Sequence, residues 1–347
     1  MQQLFEMKQY DLDYYQKNIK DFLPDRFIDV HTHVWLDEFR IPDVKVPVRA
    51  VKWPSMIAKD NSIEDLMETY KLMFPDKSAN ALIFGQVSEE IDTRKGNAYI
   101  SQCSKKYGYP SLYVSSPDQS AAQFEKGIEE GGFLGCKVYL NYSPHYIPEN
   151  EIRIFDFLPL HHLEVLNRRG WVVMLHIPRP GRLKDPVNLA QMMEIEEKFP
   201  NVKVIIAHVG RAYCVEDVGN AFELLGDTKR MMFDITANCN SQIFEMLIKA
   251  FGPKRILFGS DLPILRMRTK RICENGKYIN LVPKGLYGDV SEDNHMREVE
   301  GKEADEMTFF MYEEINAFRI AAEKTGLTRE QCEDVFYNNA AKLFGLA

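Results

Sequence analysis

The strongest constraint on the fold is a recurring unit. A short apolar segment, a turn and an amphipathic helical segment repeat along the chain. Eight segments rich in Val, Ile, Leu, Phe and Met read as strands: 26–30, 79–87, 111–115, 135–140, 171–176, 202–208, 231–235 and 255–259. Helical spacing fills the gaps over about 93–106, 119–130, 155–168, 186–199, 215–225 and 241–250, then 304–324 and 329–344. Ser62-Ile-Glu-Asp opens a further helix as a capping box. Strands alternating with helices pair in parallel through crossover connections. Eight in one series predict an α/β fold of the (β/α)8 barrel type. An open doubly wound sheet would carry a glycine-rich turn after an early strand. No GxGxxG is present, and Gly131-Gly132 precedes a strand, so it reads as a helix stop.

A length of 347 residues would by itself suggest two domains, but such barrels often run long as one. The chain is therefore read as a single domain over 1–347, with 1–25 an N-terminal extension. Two connections are unusually long, 34–61 after strand one and 262–303 after strand eight. In a closed barrel these strands are neighbours, so both loops should meet over the mouth as lids or binding loops. They could equally serve as subunit contacts, leaving a homo-oligomer open.

Hydrophobic residues make up 45% and charged residues 27%, the balance of an ordinary globular protein. A net charge of -8 argues against a nucleic-acid partner held by bulk electrostatics, though not against a local basic pocket. The polar N-terminus lacks the apolar core of a secretory signal. No run of about 18 apolar residues predicts a membrane span. Cys103, Cys136, Cys214, Cys239, Cys273 and Cys332 form no CxxC pair and read as idle thiols of a reducing cytosol. The expected location is cytoplasmic and the expected partner a small molecule.

Active sites of such barrels lie at the C-terminal ends of the strands. Strand one ends in Asp29-Val-His31-Thr-His33, whose i, i+2 histidines can face one cation. Lys137 lies inside an apolar strand, where a lysine is costly unless paired or functional. His176 and His208 close two consecutive apolar strands, and Asp261 follows the last. Each alone has a bland reading as a core histidine, a rim ion pair or a helix cap. Together they form an ordered set of imidazoles and a carboxylate suited to zinc, and also to manganese, iron or cobalt. His145, His161, His162 and His295 fall in a loop, a helix and the final long connection and are read as non-ligands, with His145 the nearest to a substrate role.

At these residues the chain resembles the amidohydrolase superfamily, in particular the amidohydrolase-related branch that includes aminocarboxymuconate-semialdehyde decarboxylase. The resemblance spans nearly the whole chain. It rests on Asp29-Val-His-Thr-His, Leu175-His, Ala207-His-Val-Gly, Leu257-Phe-Gly-Ser-Asp and Tyr337-Asn-Asn-Ala-Ala-Lys-Leu-Phe. It implies a distorted (β/α)8 TIM barrel with His31, His33 and His176 as metal ligands and Asp261 as ligand or base. His208 would be a second-metal ligand in a dinuclear member, and acid, base or polariser in a mononuclear one. Gly135-Cys-Lys-Val-Tyr also resembles the segment of dihydroorotase-like members in which the lysine is carboxylated and bridges two metals. The overall pattern fits the one-ion branch better.

The reaction expected is hydrolysis of an amide, ester or lactone by water that a metal has activated. Asp261 would take the proton, and His208 would hydrogen-bond the developing oxyanion. The alternative is a metal-dependent decarboxylase or other lyase of a small carboxylic acid. A non-catalytic metal-binding protein would have lost part of the polar set, and all of it is present. Arg179, Arg211, Arg266 and Arg268 should lie near the mouth, where arginine suits carboxylate recognition. Trp35, Trp53, Tyr139, Tyr142 and Tyr146 could wall a ring-bearing substrate, or pack beneath the long loops.

Overall fold

The computed structural model describes residues 4–44, 49 and 53–346. Residues 45–48 and 50–52 of the first long connection lie outside the described residues, as do the two chain ends.

Each expected strand forms. Among the described residues, β1 (Arg26–His33), β2 (Ser78–Phe84), β3 (Tyr113–Val114), β4 (Gly135–Val138), β5 (Val172–Leu175), β6 (Lys203–Ile206), β7 (Met232–Asp234) and β8 (Ile256–Leu257) pair in sequence order. Every one of these pairings is parallel. Two short junctions complete the ring. Ile83 N donates to Pro110 O and Leu112 N to Ile83 O between β2 and β3. Val30 N donates to Phe258 O, and Asp261 N to His31 O, between β8 and β1. The result is a distorted (β/α)8 barrel, with its regular ladders interrupted at these two junctions.

The helices begin where local chemistry starts them. Ser62 caps Ile63–Met73 by accepting from Asp65 N, with Asp65 answering on Ser62 N. Asp92, Ser120, Asp185 and Asn240 cap four more. Gly132 ends the helix Ala121–Gly131 with a left-handed backbone, the stop read from the sequence. Apolar side chains divide into two cores. Ile28, Val30, Leu82, Met174, Ile205 and Leu257 fill the barrel, while a larger cluster including Phe27, Phe74, Phe244, Phe258 and Phe318 seals the helices onto it.

Two readings are corrected. The connection 262–303 is no plain loop. It carries β9 (Lys270–Glu274), β10 (Lys277–Pro283) and β11 (Met296–Val299), with β10 in the middle. It still meets the first long connection, because Trp53 Nε1 donates to Asp293 Oδ2 at 2.7 Å. The cysteines are not all idle thiols either. Cys214, after β6, and Cys273, on β9, form a disulfide with Cα atoms 5.8 Å apart. They are 59 residues apart in sequence, and only the docking of the hairpin brings them together.

Candidate functional site

Strict alternation along β1 would send His31 away from the interior side chains of Ile28 and Val30. A register shift between Asp29 and Thr32 breaks that alternation. His31 then turns to the C-terminal mouth, where it is 1% exposed. Asp29 stays behind it and accepts from His31 N and Ser260 N, locking β1 to the end of β8. Gly259 is required here, because a Cβ on it would lie 2.9 Å from His31 Cβ.

The backbone is bent sharply beneath two other site residues. His208, Val209 and Arg211 all have positive φ, near +50° to +60°. For a β-branched residue such as Val209 this is a costly conformation. Asp234 at the end of β7 holds the bend by accepting from His208 N at 2.6 Å. Asp261 also sits at φ +60°, tied by its N–H to His31 O.

Three groups converge. Donor atoms of His31, His208 and Asp261 all lie within 4.8 Å of one another, and all three residues are buried. His33 Nε2 lies 3.2 Å from Asp261 Oδ1, and His31 Nε2 lies 3.6 Å from the same oxygen. The opposite ring nitrogens are occupied from outside. His31 Nδ1 faces Asp234 Oδ2 at 3.0 Å, His33 Nδ1 faces Gly85 O at 3.1 Å, and His208 Nδ1 faces Thr236 O at 3.2 Å. Such outer partners fix the ring and leave Nε2 as a donor for a cation. His176 stands beside the trio rather than in it. Its ring lies 5.1 Å from that of His208, and its buried Nδ1 has no hydrogen-bond partner among the described residues. A cation would satisfy that orphaned atom. The residues present therefore fit a divalent metal.

Lys137 is 1% exposed, and its Nζ lies 3.2 Å from His31 Nε2. Burial pulls its ammonium down to about 8, against the attraction of Asp261 and Asp234. Burial, with Lys137 beside it, holds His31 well below the ordinary imidazole value; burial holds His176 well below it too, and lowers His208 against the pull of Asp261 and Asp234. Neutral imidazoles are the form that binds metal. Burial would raise the Asp261 carboxyl, but the hydrogen bond from His33 and the nearby His31 and His208 hold it well below the usual carboxylate range. Burial pushes Asp29 up to about 7 and raises Asp234.

The expected substrate contacts separate. The Tyr139 ring lies 4.6 Å from His176, at the site. Arg211 Nη1 donates to the carbonyls of Ile177, Pro178 and Arg179, bracing the loop after β5. Arg179 Nε lies 3.5 Å from Asp185. Arg266 turns instead to the helix Ile63–Met73, with Nη1 3.5 Å from Thr69 Oγ1. Arg268 grips Asp11 with both Nη atoms, at 2.8 and 2.6 Å, beneath the N-terminal helix Gln9–Asn18. Trp35 donates to Lys59 O and packs under its own loop, and Tyr146 is exposed. Of the other histidines, His145 pairs with Glu89 at 2.7 Å. His161 and His162 both face Gln119 O, and His295 stacks on Tyr278. Sequence reasoning missed Asp234, although a carboxylate closing the apolar run before Ile235 was a signal of the same kind as Asp261. It also missed Arg182, Tyr213, Arg271 and Tyr278, cations and rings that stack on one another, with the Tyr213 ring 6.4 Å from that of His208.

The family model described as Amidohydrolase matches residues 28–346. No curated protein matches the sequence. Among solved structures, the chain is similar to a probable 2-pyrone-4,6-dicarboxylic acid hydrolase from Acinetobacter baumannii with citric acid bound. Identity is 14%, coverage 92% of this chain and 99% of that one, and the TM-score 0.55. It is also similar to a dihydroxybenzoic acid decarboxylase from Polaromonas with bound manganese, at 13% identity, 93% and 98% coverage and TM-score 0.53. An amidohydrolase from Burkholderia multivorans with bound zinc gives 11%, 92% and 99%, and 0.56. At these identities the likeness is one of fold.

Proposed function

The chain belongs to the amidohydrolase family, and from that premise we propose a metal-dependent hydrolase of an amide, ester or lactone in a small carboxylate-bearing substrate. The observation that carries this reading is the convergence of His31, His208 and Asp261 within 4.8 Å. Their ring nitrogens are oriented from behind by Asp234 and Thr236. His31, His33, His176 and Asp261 would hold one divalent ion, zinc before manganese, iron or cobalt, with Lys137 and His208 closing the set. A bound ion there would lower the pKa of water and polarise a carbonyl.

The chain's own residues supply the rest. Asp261, held ionised, accepts the proton of the attacking water and returns it to the leaving group. His208 keeps its Nδ1–H on Thr236 O, so the neutral ring presents an unprotonated Nε2, which would serve as a ligand to the ion or as a proton acceptor beside it. Tyr139, 4.6 Å from His176, and Arg211, whose charge acts on the same ring, would orient the substrate's carboxylate, with Arg179 available if it leaves Asp185.

The test uses protein stripped by a chelator and reconstituted with zinc or manganese. It is offered lactones and amides of small carboxylic acids, alongside hydroxybenzoates, in 18O-labelled water. Metal-dependent entry of label into the product, with no CO2 released, is the expected result. Release of CO2 without label would overturn it in favour of a carboxy-lyase.

A further inference from the structure

The helix Phe310–Thr325 carries a fully buried carboxyl, Glu314, outside the site described above. Neither of its oxygens has a hydrogen bond of ordinary geometry among the described residues. A buried polar group in that state is costly, so what faces it matters. Two backbone N–H groups do, those of Ala237 and Asn238, and neither has another partner among the described residues. Burial, with Asp29 and Asp234 nearby, raises the carboxyl well above its ordinary value, so what it offers is acceptor oxygens rather than a full charge.

Ala237 and Asn238 belong to the turn that follows β7. Ala237 has φ +50°, in the left-handed region that a residue with a side chain seldom adopts. Such a turn persists only where its surroundings hold it. From one side Arg271 Nη1 donates to Ala237 O, and Asn238 Nδ2 donates to Ala212 O at 2.6 Å. From the other side Glu314 faces the N–H groups. The Ala237 N–H shares a peptide unit with Thr236 C=O, and a planar trans peptide points the two in opposite directions. Thr236 O is the group that accepts from His208 Nδ1 at 3.2 Å. Fixing the N–H therefore fixes the carbonyl and polarises it as an acceptor. The path runs from Glu314 through one peptide plane to the His208 ring, and it leaves Nε2 for the centre that His208 shares with His31 and Asp261. Asp234 does not duplicate this hold, because it grips His208 by the backbone N–H and leaves the ring to Thr236.

We propose that Glu314 is a positioning residue of the metal site: by accepting from the Ala237 N–H it holds Thr236 O, and through it the His208 ring, in the orientation that presents Nε2 to an ion. The proposal rests on the metal-site reading above. In this role Glu314 touches neither ion nor substrate.

The test has two readouts on the full-length protein. One is the His208 Nδ1–H resonance of metal-free, 15N-histidine-labelled protein, and the other is zinc affinity by competition with a chromophoric chelator. Glu314→Met removes the acceptor. The His208 resonance should lose its protection from solvent exchange, and zinc affinity should fall by about tenfold, the lower end of what loss of an outer partner costs. Glu314→Gln keeps a carbonyl acceptor at the same reach and should restore both readouts toward wild type. Glu314→Asp withdraws the acceptor by one methylene and should weaken both, which keeps the test decisive if the methionine variant does not fold. A merely structural role predicts a lower Tm with the His208 resonance and zinc affinity unchanged, and that result would overturn the proposal. So would a glutamine variant as impaired as the methionine or aspartate one. Wild type that binds no zinc would refute the metal-site reading, while the metal-free His208 resonance still reports on Glu314, so the two readings fail separately.

Discussion

Asp234 does two things at once. One oxygen faces His31 Nδ1, and the other accepts from His208 N. Loss of an outer partner of this kind typically costs 10- to 100-fold in metal affinity. Asp234→Ala should weaken zinc by about that factor, read by competition with a chromophoric chelator. Asp261→Asn removes the proton acceptor and should lower kcat by about 10²- to 10⁴-fold. Full turnover in that variant, together with full metal content in His31→Ala, would refute the scheme. A residue outside the site sets an acid limit. His162 is fully buried, stacked at 4.0 Å on Phe124, and burial lowers it to about 4 against the hydrogen bond to Gln119 O. The unfolded chain therefore binds more protons than the folded one between about pH 6.5 and 4. Stability falls as pH drops through that window, by about 3 kcal/mol in all. His162→Gln should flatten the pH dependence of the unfolding midpoint there.

The element that sequence reasoning under-read is the insertion after β8. Its length alone reads as a lid or binding loop, yet it carries a hairpin signal. Asn275-Gly276 lies between the alternating runs of β9 and β10, and both residues take the positive φ that a tight hairpin turn needs. The insertion is tied down by Arg268, which follows the end of β8 and pairs bidentately with Asp11 of the N-terminal helix. Asp11 is fully buried, so removing its partner strands a charge. Arg268→Met should cost about 3–5 kcal/mol in urea unfolding. An added Asp11→Leu should recover much of the loss, because it removes the stranded carboxylate.

Across the whole barrel, the proposed ligands come from the ends of β1, β5, β6 and β8, so a bound ion would cross-link strands distant in sequence. Stripping the metal should lower Tm by several degrees. An ion present at 100 times its Kd contributes about 2.7 kcal/mol, whatever reaction the site performs. An unchanged Tm on metal removal and return would mean that the cluster does not bind the ion. The net charge of -8 gave no hint of the cations around the mouth. Net charge is a sum over the whole surface, whereas Arg182, Arg211 and Arg271 gather only when three separate segments fold together.

The sequence by itself determined the barrel, because strand and helix periodicity are local and eight alternating units have few ways to close. It also placed His31, His33, His176, His208 and Asp261 at strand ends, since each ends a recognisable apolar run. Only the tertiary structure decided which of them share a centre. The β1 register shift and the left-handed bend after His208 bring His208, rather than His176, into the trio with His31 and Asp261. Likewise it sent Arg266 and Arg268 to brace helices and set Arg271 at the mouth. An arginine's long side chain reaches whatever the fold puts beside it, and no local pattern encodes that neighbour.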